Sequence, residues 1–190
     1  MLLHKLVPLL FSLAGLTYSA PLTCEQLSQP TEQVDLSRLE GTWVLVAGTY
    51  LPFQDRFRHR DSAFINFPAN KSVTNISYSR GFSIGDKCVY GSANITLNGS
   101  NFTFDGTPAS NLSGVFLFLT SCPDCLIMSF NAKSGRQRTH LLFSQRRELE
   151  QHQIQEFNEQ VQCLQMPPPT IMDPTKNLCP WPQEASTGPD

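Results

Sequence analysis

Leu39-Glu40-Gly41-Thr42-Trp43-Val44-Leu45-Val46-Ala47-Gly48 is the stretch whose reading decides the fold. Glycine at 41 can take a backbone angle that side chains disfavour, Trp43 is a large apolar plug, and the apolar run after it has strand character. Working outward, Thr42–Leu51 reads as a first strand and Gln54–Asp61 as a long polar loop. Further strands are expected at Ser62–Phe67, stopped by Pro68, then at Ser72–Ser79 and Asp86–Leu97. Asn98-Gly99 is a hairpin signal that introduces Asn101–Phe104, and Val115–Thr120, Leu126–Phe130 and Arg138–Ser144 complete eight. Short strands at regular spacing with turn residues between them indicate an all-β antiparallel barrel or sandwich.

The period then changes. Between Glu148 and Leu164, the residues Ile154, Phe157, Val161 and Leu164 recur at helical spacing, which predicts one amphipathic helix packed outside the sheet with a solvated Gln- and Glu-rich face. Pro167-Pro168-Pro169 ends it, and residues 182–190 read as a disordered tail.

Residues 1–19 carry Lys5, an apolar block from Leu6 to Leu16 and then small residues, the pattern of a secretory signal peptide cleaved after Ser19 or Ala20. The block is too short to span a bilayer and no later run approaches the required length, so no membrane span is expected. Residues 20–181 are then one domain with a sizeable core. Without Lys5, 13 basic side chains face 16 acidic ones, and no basic block exists to bind nucleic acid.

All six cysteines, Cys24, Cys88, Cys122, Cys125, Cys163 and Cys179, follow the leader, and an even number in a secreted chain predicts three disulfides. Spacing alone selects one pair. Cys122-Pro123-Asp124-Cys125 has turn residues at its centre, and β-turn ends approach within about 7 Å, inside disulfide reach. A thioredoxin-like motif would need to open a helix and a zinc site would need a second pair, and neither is visible.

Six Asn-x-Ser/Thr acceptors, at Asn70, Asn75, Asn94, Asn98, Asn101 and Asn111, constrain the orientation of the strands. A glycan cannot point into a barrel. With a period of two, Asn75 outward sends Thr74, Ile76 and Tyr78 inward, Asn94 outward sends Val89, Ala93 and Ile95 inward, and Asn101 outward sends Phe102 and Phe104 inward. Arg80 shares the parity of Tyr78 and is placed at a strand end, where a cation can stay hydrated while meeting a polar or anionic ligand group. Cys88 falls outside with Asn94.

One motif suggests catalysis and fails on context. Gly81-Phe82-Ser83-Ile84-Gly85 matches a G-x-S-x-G nucleophile elbow, which requires a sharp strand-to-helix turn; here strand sequence follows, and a loop between the third and fourth strands is the better reading. Only His59, His140 and His152 follow the leader, without metal-ligand spacing, so no metal, cofactor or catalytic residue is assigned.

Gly41-x-Trp43 opening a first strand resembles the lipocalin signature. With Pro21-Leu22-Thr23-Cys24, Asn70-Lys71-Ser72, Asp86-Lys87-Cys88-Val89-Tyr90, Cys163-Leu164-Gln165-Met166-Pro167 and Cys179, the resemblance sharpens to the α1-acid glycoprotein-like plasma lipocalins. Apolipoprotein M and the fish plasma lipocalins that bind tributyltin or saxitoxin and tetrodotoxin are neighbouring branches. The resemblance implies an eight-stranded up-and-down lipocalin barrel with one external C-terminal helix, and disulfides Cys24–Cys163 and Cys88–Cys179, leaving Cys122–Cys125 as the local pair. It implies that Gly41 and Trp43 form the barrel floor, with Arg146 lying on the Trp43 ring. It adds Ile65, Phe67, Met128, Phe130, Leu141 and Phe143 to the ligand-binding wall given by Ile76, Tyr78, Arg80, Ile95, Phe102 and Phe104. The implied function is a secreted, glycosylated, monomeric plasma protein that transports small hydrophobic or amphiphilic molecules such as lipids, drugs, toxins or organotins. The alternatives are an immunomodulatory acute-phase glycoprotein without dedicated cargo and a lipocalin-type enzyme. The family's prostaglandin D synthases use a barrel cysteine, and this chain has none between Cys24 and Cys88.

Overall fold

The computed structural model describes residues 23–28, 33–51, 59–69, 74–106, 111–135 and 137–181. The expected leader, the acceptor Asn70 and the tail 182–190 lie outside the described residues. Two short helices, α1 (Cys24–Ser28) and α2 (Leu36–Leu39), precede the strands. The strands are β1 (Gly41–Leu51), β2 (Ser62–Phe67), β3 (Asn75–Ile84), β4 (Lys87–Asn98), β5 (Asn101–Phe104), β6 (Leu112–Leu119), β7 (Cys122–Ala132) and β8 (Arg138–Ser144). Helix α3 (Gln151–Cys163) and a short β9 (Thr170–Ile171) follow. Each of the eight strands pairs antiparallel with the next, β8 pairs with β1 and β1 with β2, so the sheet closes into a barrel; β9 joins β1 through Ala47 and Gly48. Closure removes the sheet edges that an open meander would expose.

The closed end is built around Trp43. Gly41 has φ of +102°, a backbone angle that lets the chain turn from α2 into β1, and Trp43 Nε1 donates to Leu39 O at 2.7 Å. The Trp43 ring is thereby buried with its polar atom satisfied.

Several boundaries differ from expectation for identifiable reasons. β3 runs on through Gly81 to Ile84, and only Gly85-Asp86 turns the chain. Gly81 does not break the strand; it permits close approach, since a Cβ there would stand 2.6 Å from the Phe64 ring. Of the expected loop at Gly81–Gly85, all but Gly85 is therefore strand, and Ser83 Oγ sits 2.8 Å from Ser62 Oγ rather than on an elbow. The Ser62 hydroxyl donates to Asn177 O, so Ser83 is the donor in that pair. The turn between β6 and β7 is Thr120-Ser121, and Cys122-Pro123-Asp124-Cys125 opens β7. The Cα atoms of Cys122 and Cys125 are 5.3 Å apart, whereas extended chain would separate them by about 10 Å, so the strand start is folded back on itself beside a register shift in β6.

Parity is largely as expected. Ile76, Tyr78, Ile95, Phe102 and Phe104 are buried and Asn75, Asn94, Asn98, Asn101 and Asn111 are exposed. Thr74 is exposed because it precedes the strand, and Val89 is 43% exposed because it lies on the end of β4 beyond β5.

The three disulfides are Cys24–Cys163, Cys88–Cys179 and Cys122–Cys125. α3 packs on the outer wall through Phe157 and Val161, against Ala47, Ile127 and Leu142. Its Gln- and Glu-rich side is not simply solvated: Gln153, Glu156 and Gln160 are buried against the barrel. The Glu156 carboxylate accepts the Thr120 N–H at 2.8 Å, the Ser121 N–H at 3.0 Å and the Ser121 hydroxyl. The buried Glu156 side chain is accommodated here because three donors converge on it.

Candidate ligand site in the barrel lumen

The inward residues of the strands form two zones. At the closed end Trp43, Phe67, Ile76, Ile95, Phe102 and Phe116 are all buried. Their rings interlock, with centroids 4.7 Å apart for Phe102 and Phe116, 6.2 Å for Phe67 and Phe116, and 5.2 Å for Phe67 and Tyr78. Phe67, Ile76, Ile95 and Phe102 are expected on the ligand wall; they are buried and fill the closed half of the barrel, and none of them lines the lumen cavity. The other half of the lumen holds a cavity of about 430 Å³. Ile65, Tyr78, Arg80, Phe104, Met128, Phe130, Leu141 and Phe143 line it as expected, with Leu45, Ala63 and Leu112 completing the apolar wall.

Tyr50, Arg60 and Phe82 also line this cavity. Phe82 continues the period of two beyond Tyr78 and Arg80, so that signal was present once β3 is seen to continue. Arg60 stands in a connection where no periodicity applies. Its guanidinium lies 4.5 Å from the Phe82 ring centroid and donates to Tyr50 Oη at 3.5 Å. Burial pushes the Tyr50 phenol up, and pushes Tyr78 up to about 12, with Arg80 pulling Tyr78 the other way. Both phenols therefore stay protonated at physiological pH. The lumen thus offers aromatic and aliphatic walls, two neutral phenols, and the cations Arg60 and Arg80.

Arg146 does not lie on Trp43. Its Nε donates to Asp124 Oδ2 at 2.6 Å and a terminal nitrogen to Asp124 Oδ1 at 3.1 Å, a two-point ion pair that holds the Asp124 carboxyl below its usual range. Among the described residues the arginines on aromatic faces are Arg38 over Phe118 and Arg60 over Phe82. Arg147 is the half-buried neighbour that turns toward β1, beside Val44 and Leu45, and it donates to Lys176 O. Parity along the chain after β8 could not separate these two residues; Asp124, brought close by the folded start of β7, does so. The group of possible metal-binding side chains among the described residues is Cys122, Asp124 and Cys125, and both of those sulfurs are committed to their disulfide.

No protein-family model matches the chain. Over 173 residues it is 22% identical to alpha-1-acid glycoprotein of Oryctolagus cuniculus, covering 88% of this chain and 86% of that protein. The siderocalin Ex-FABP, described as functioning through dual ligand specificities, superposes with a TM-score of 0.59 at 12% identity, covering 71% of this chain and 93% of that one. The fold is the lipocalin fold, a closed eight-stranded antiparallel barrel with one helix outside. More particularly, its sequence is weakly similar to that of alpha-1-acid glycoprotein.

Proposed function

We propose that this protein is a secreted, glycosylated carrier of small amphiphilic molecules, without enzymatic activity and working as a monomer in blood plasma. The observation that carries the reading is the half-filled lumen: a cavity of about 430 Å³ with Phe104, Met128, Phe130, Leu141 and Phe143 on its walls, and Tyr50, Tyr78, Arg60 and Arg80 around it. Apolar walls with a few convergent polar groups are the usual make-up of a small-molecule pocket. An apolar tail fits the walls, and the guanidinium groups favour a polar or anionic end. Three disulfides suit an oxidising compartment, and the relation to a plasma lipocalin supports the setting. Burying roughly 300 Å² of apolar ligand yields about 7–8 kcal/mol before association costs, which limits a purely apolar ligand to about micromolar affinity.

Titration with 1-anilinonaphthalene-8-sulfonate, an anionic aromatic probe, tests this. Binding should be saturable at one site and displaced by a long-chain fatty acid. Phe104→Ala with Phe143→Ala should weaken it at least tenfold while the circular dichroism of the barrel persists. Unchanged affinity in the folded double variant would place the probe elsewhere. Absence of any binding would favour a glycoprotein without dedicated cargo.

A further inference from the structure

Among the described residues, part of β4 has a strand partner on one side only. β4 pairs with β3 continuously from Lys87 to Thr96, without a bulge, but with β5 only from Ile95 to Asn98. In an antiparallel ladder successive residues turn their N–H and C=O to opposite sides. Leu97 N–H bonds Thr74 O on the β3 side, whereas Asn94 O accepts the Asp105 N–H on the β5 side. By the same alternation Cys88, Tyr90 and Ser92 turn their backbone groups to the β5 side, where no described residue meets them. All residues from Lys87 to Ser92 are exposed. Natural edges are usually guarded by proline, a bulge or several charges, and this one carries Lys87 alone.

A second, independent feature lies alongside. On the outer face a groove of about 470 Å³ is lined by Phe64, Tyr90 and Trp181, with Ser79 and Ser92 at its base and Arg80 at its border. The C-terminal segment that supplies Trp181 is fixed by Cys88–Cys179 and by the Tyr90 hydroxyl donating to Pro180 O at 2.6 Å, so the groove is held in shape. The Phe64 and Trp181 centroids are 5.4 Å apart. Arg80 and Lys87 enter no ion pair with another described residue.

We infer that the Cys88–Ser92 edge of β4 is a β-augmentation site for an extended segment of a partner protein, which places an aromatic side chain in the Tyr90–Trp181 groove and an acidic side chain near Arg80 or Lys87. The backbone groups of Cys88, Tyr90 and Ser92 supply the ladder bonds. A partner residue opposite Ser92 projects its side chain to the outer face, over the two serines and toward Trp181. The aromatic walls select the anchor and the two cations select its acidic neighbour.

The test uses the full glycosylated chain and a fluorescent, end-blocked heptapeptide of alternating threonine and valine with a central phenylalanine preceded by aspartate, followed by polarisation. Saturable binding is expected. N-methylation of the peptide amides that face β4 should weaken it at least tenfold, whereas N-methylation of the alternate amides should leave it within about twofold. Ser92→Pro, which removes an N–H facing away from β3, and Trp181→Ala should each weaken it at least tenfold. Equal affinity for the two methylated peptides would overturn the inference. So would self-association of the chain through this edge, seen by sedimentation and removed by Ser92→Pro, with no binding of the peptide.

Discussion

His140 shows how a single side chain couples the outer layer to acidity. It lies in β8, fully buried beneath α3, stacked on Phe157 with ring centroids 5.2 Å apart and 3.4 Å from Gln160 Oε1. Its Nδ1 has no hydrogen-bond partner, and burial lowers its pKa from 6.5 to about 4. The native state then keeps His140 neutral while the unfolded chain takes up a proton, so stability is highest above about pH 6.5 and falls as the pH drops toward 4. At about 1.4 kcal/mol per tenfold in proton affinity, the full effect is on the order of 3 kcal/mol. His140→Leu should flatten the urea-denaturation stability of the protein across that window. An unchanged slope between pH 6.5 and 4 would show that other groups dominate.

At the scale of elements, α3 is held as much by polar as by apolar contacts. Glu156 accepts hydrogen bonds from the Thr120-Ser121 turn, and Gln153 donates to Ser121 O at 3.0 Å. The same turn region is fixed by Cys122–Cys125, by the Arg146–Asp124 ion pair, and by Arg38, which donates to Pro123 O at 2.9 Å. The local disulfide thus has a structural role: it holds the folded start of β7 in the shape that presents Asp124 to Arg146. Glu156→Ala removes the acceptor from these donors and should cost about 2–3 kcal/mol in chemical denaturation, more than an exposed Glu→Ala on the same helix, such as Glu159→Ala. Equal costs for the two would remove the turn-anchoring role.

At the scale of the whole molecule, the acceptors are distributed unevenly. Asn75, Asn94, Asn98 and Asn101 lie on β3, β4 and β5, with Asn75 opposite Thr96 and Asn98 opposite Asn101. The wall carrying α3, made by β7, β8 and β1, has no acceptor. Glycosylation at most of the six sites is expected, and enzymatic deglycosylation should produce a stepwise mobility change of several glycans. A shift equal to one glycan or none would refute it. Since the five described acceptors are exposed and point away from the lumen, deglycosylation should leave probe affinity in the cavity unchanged.

The local chemistry of the chain was enough to determine the strand sequence, the inward and outward faces and the helix, because a period of two or 3.6 is written in neighbouring residues. The Cys24–Cys163 and Cys88–Cys179 pairings were legible by resemblance, while spacing alone reached only Cys122–Cys125. Parity says that Ile76, Ile95 and Phe102 point inward and the resemblance adds Phe67, but neither says whether the barrel has room left beside them. That depends on how rings from β2, β5 and β6 meet across the lumen, which is a property of registers between strands distant in sequence. The same holds for Arg60, which reaches the cavity from outside any periodic element, and for Arg146, which is drawn to Asp124 instead of Trp43. The one-sided edge of β4 was partly legible, since the sequence already ends β5 at Phe104; the strand register then decides that Cys88, Tyr90 and Ser92 face no described residue on that side.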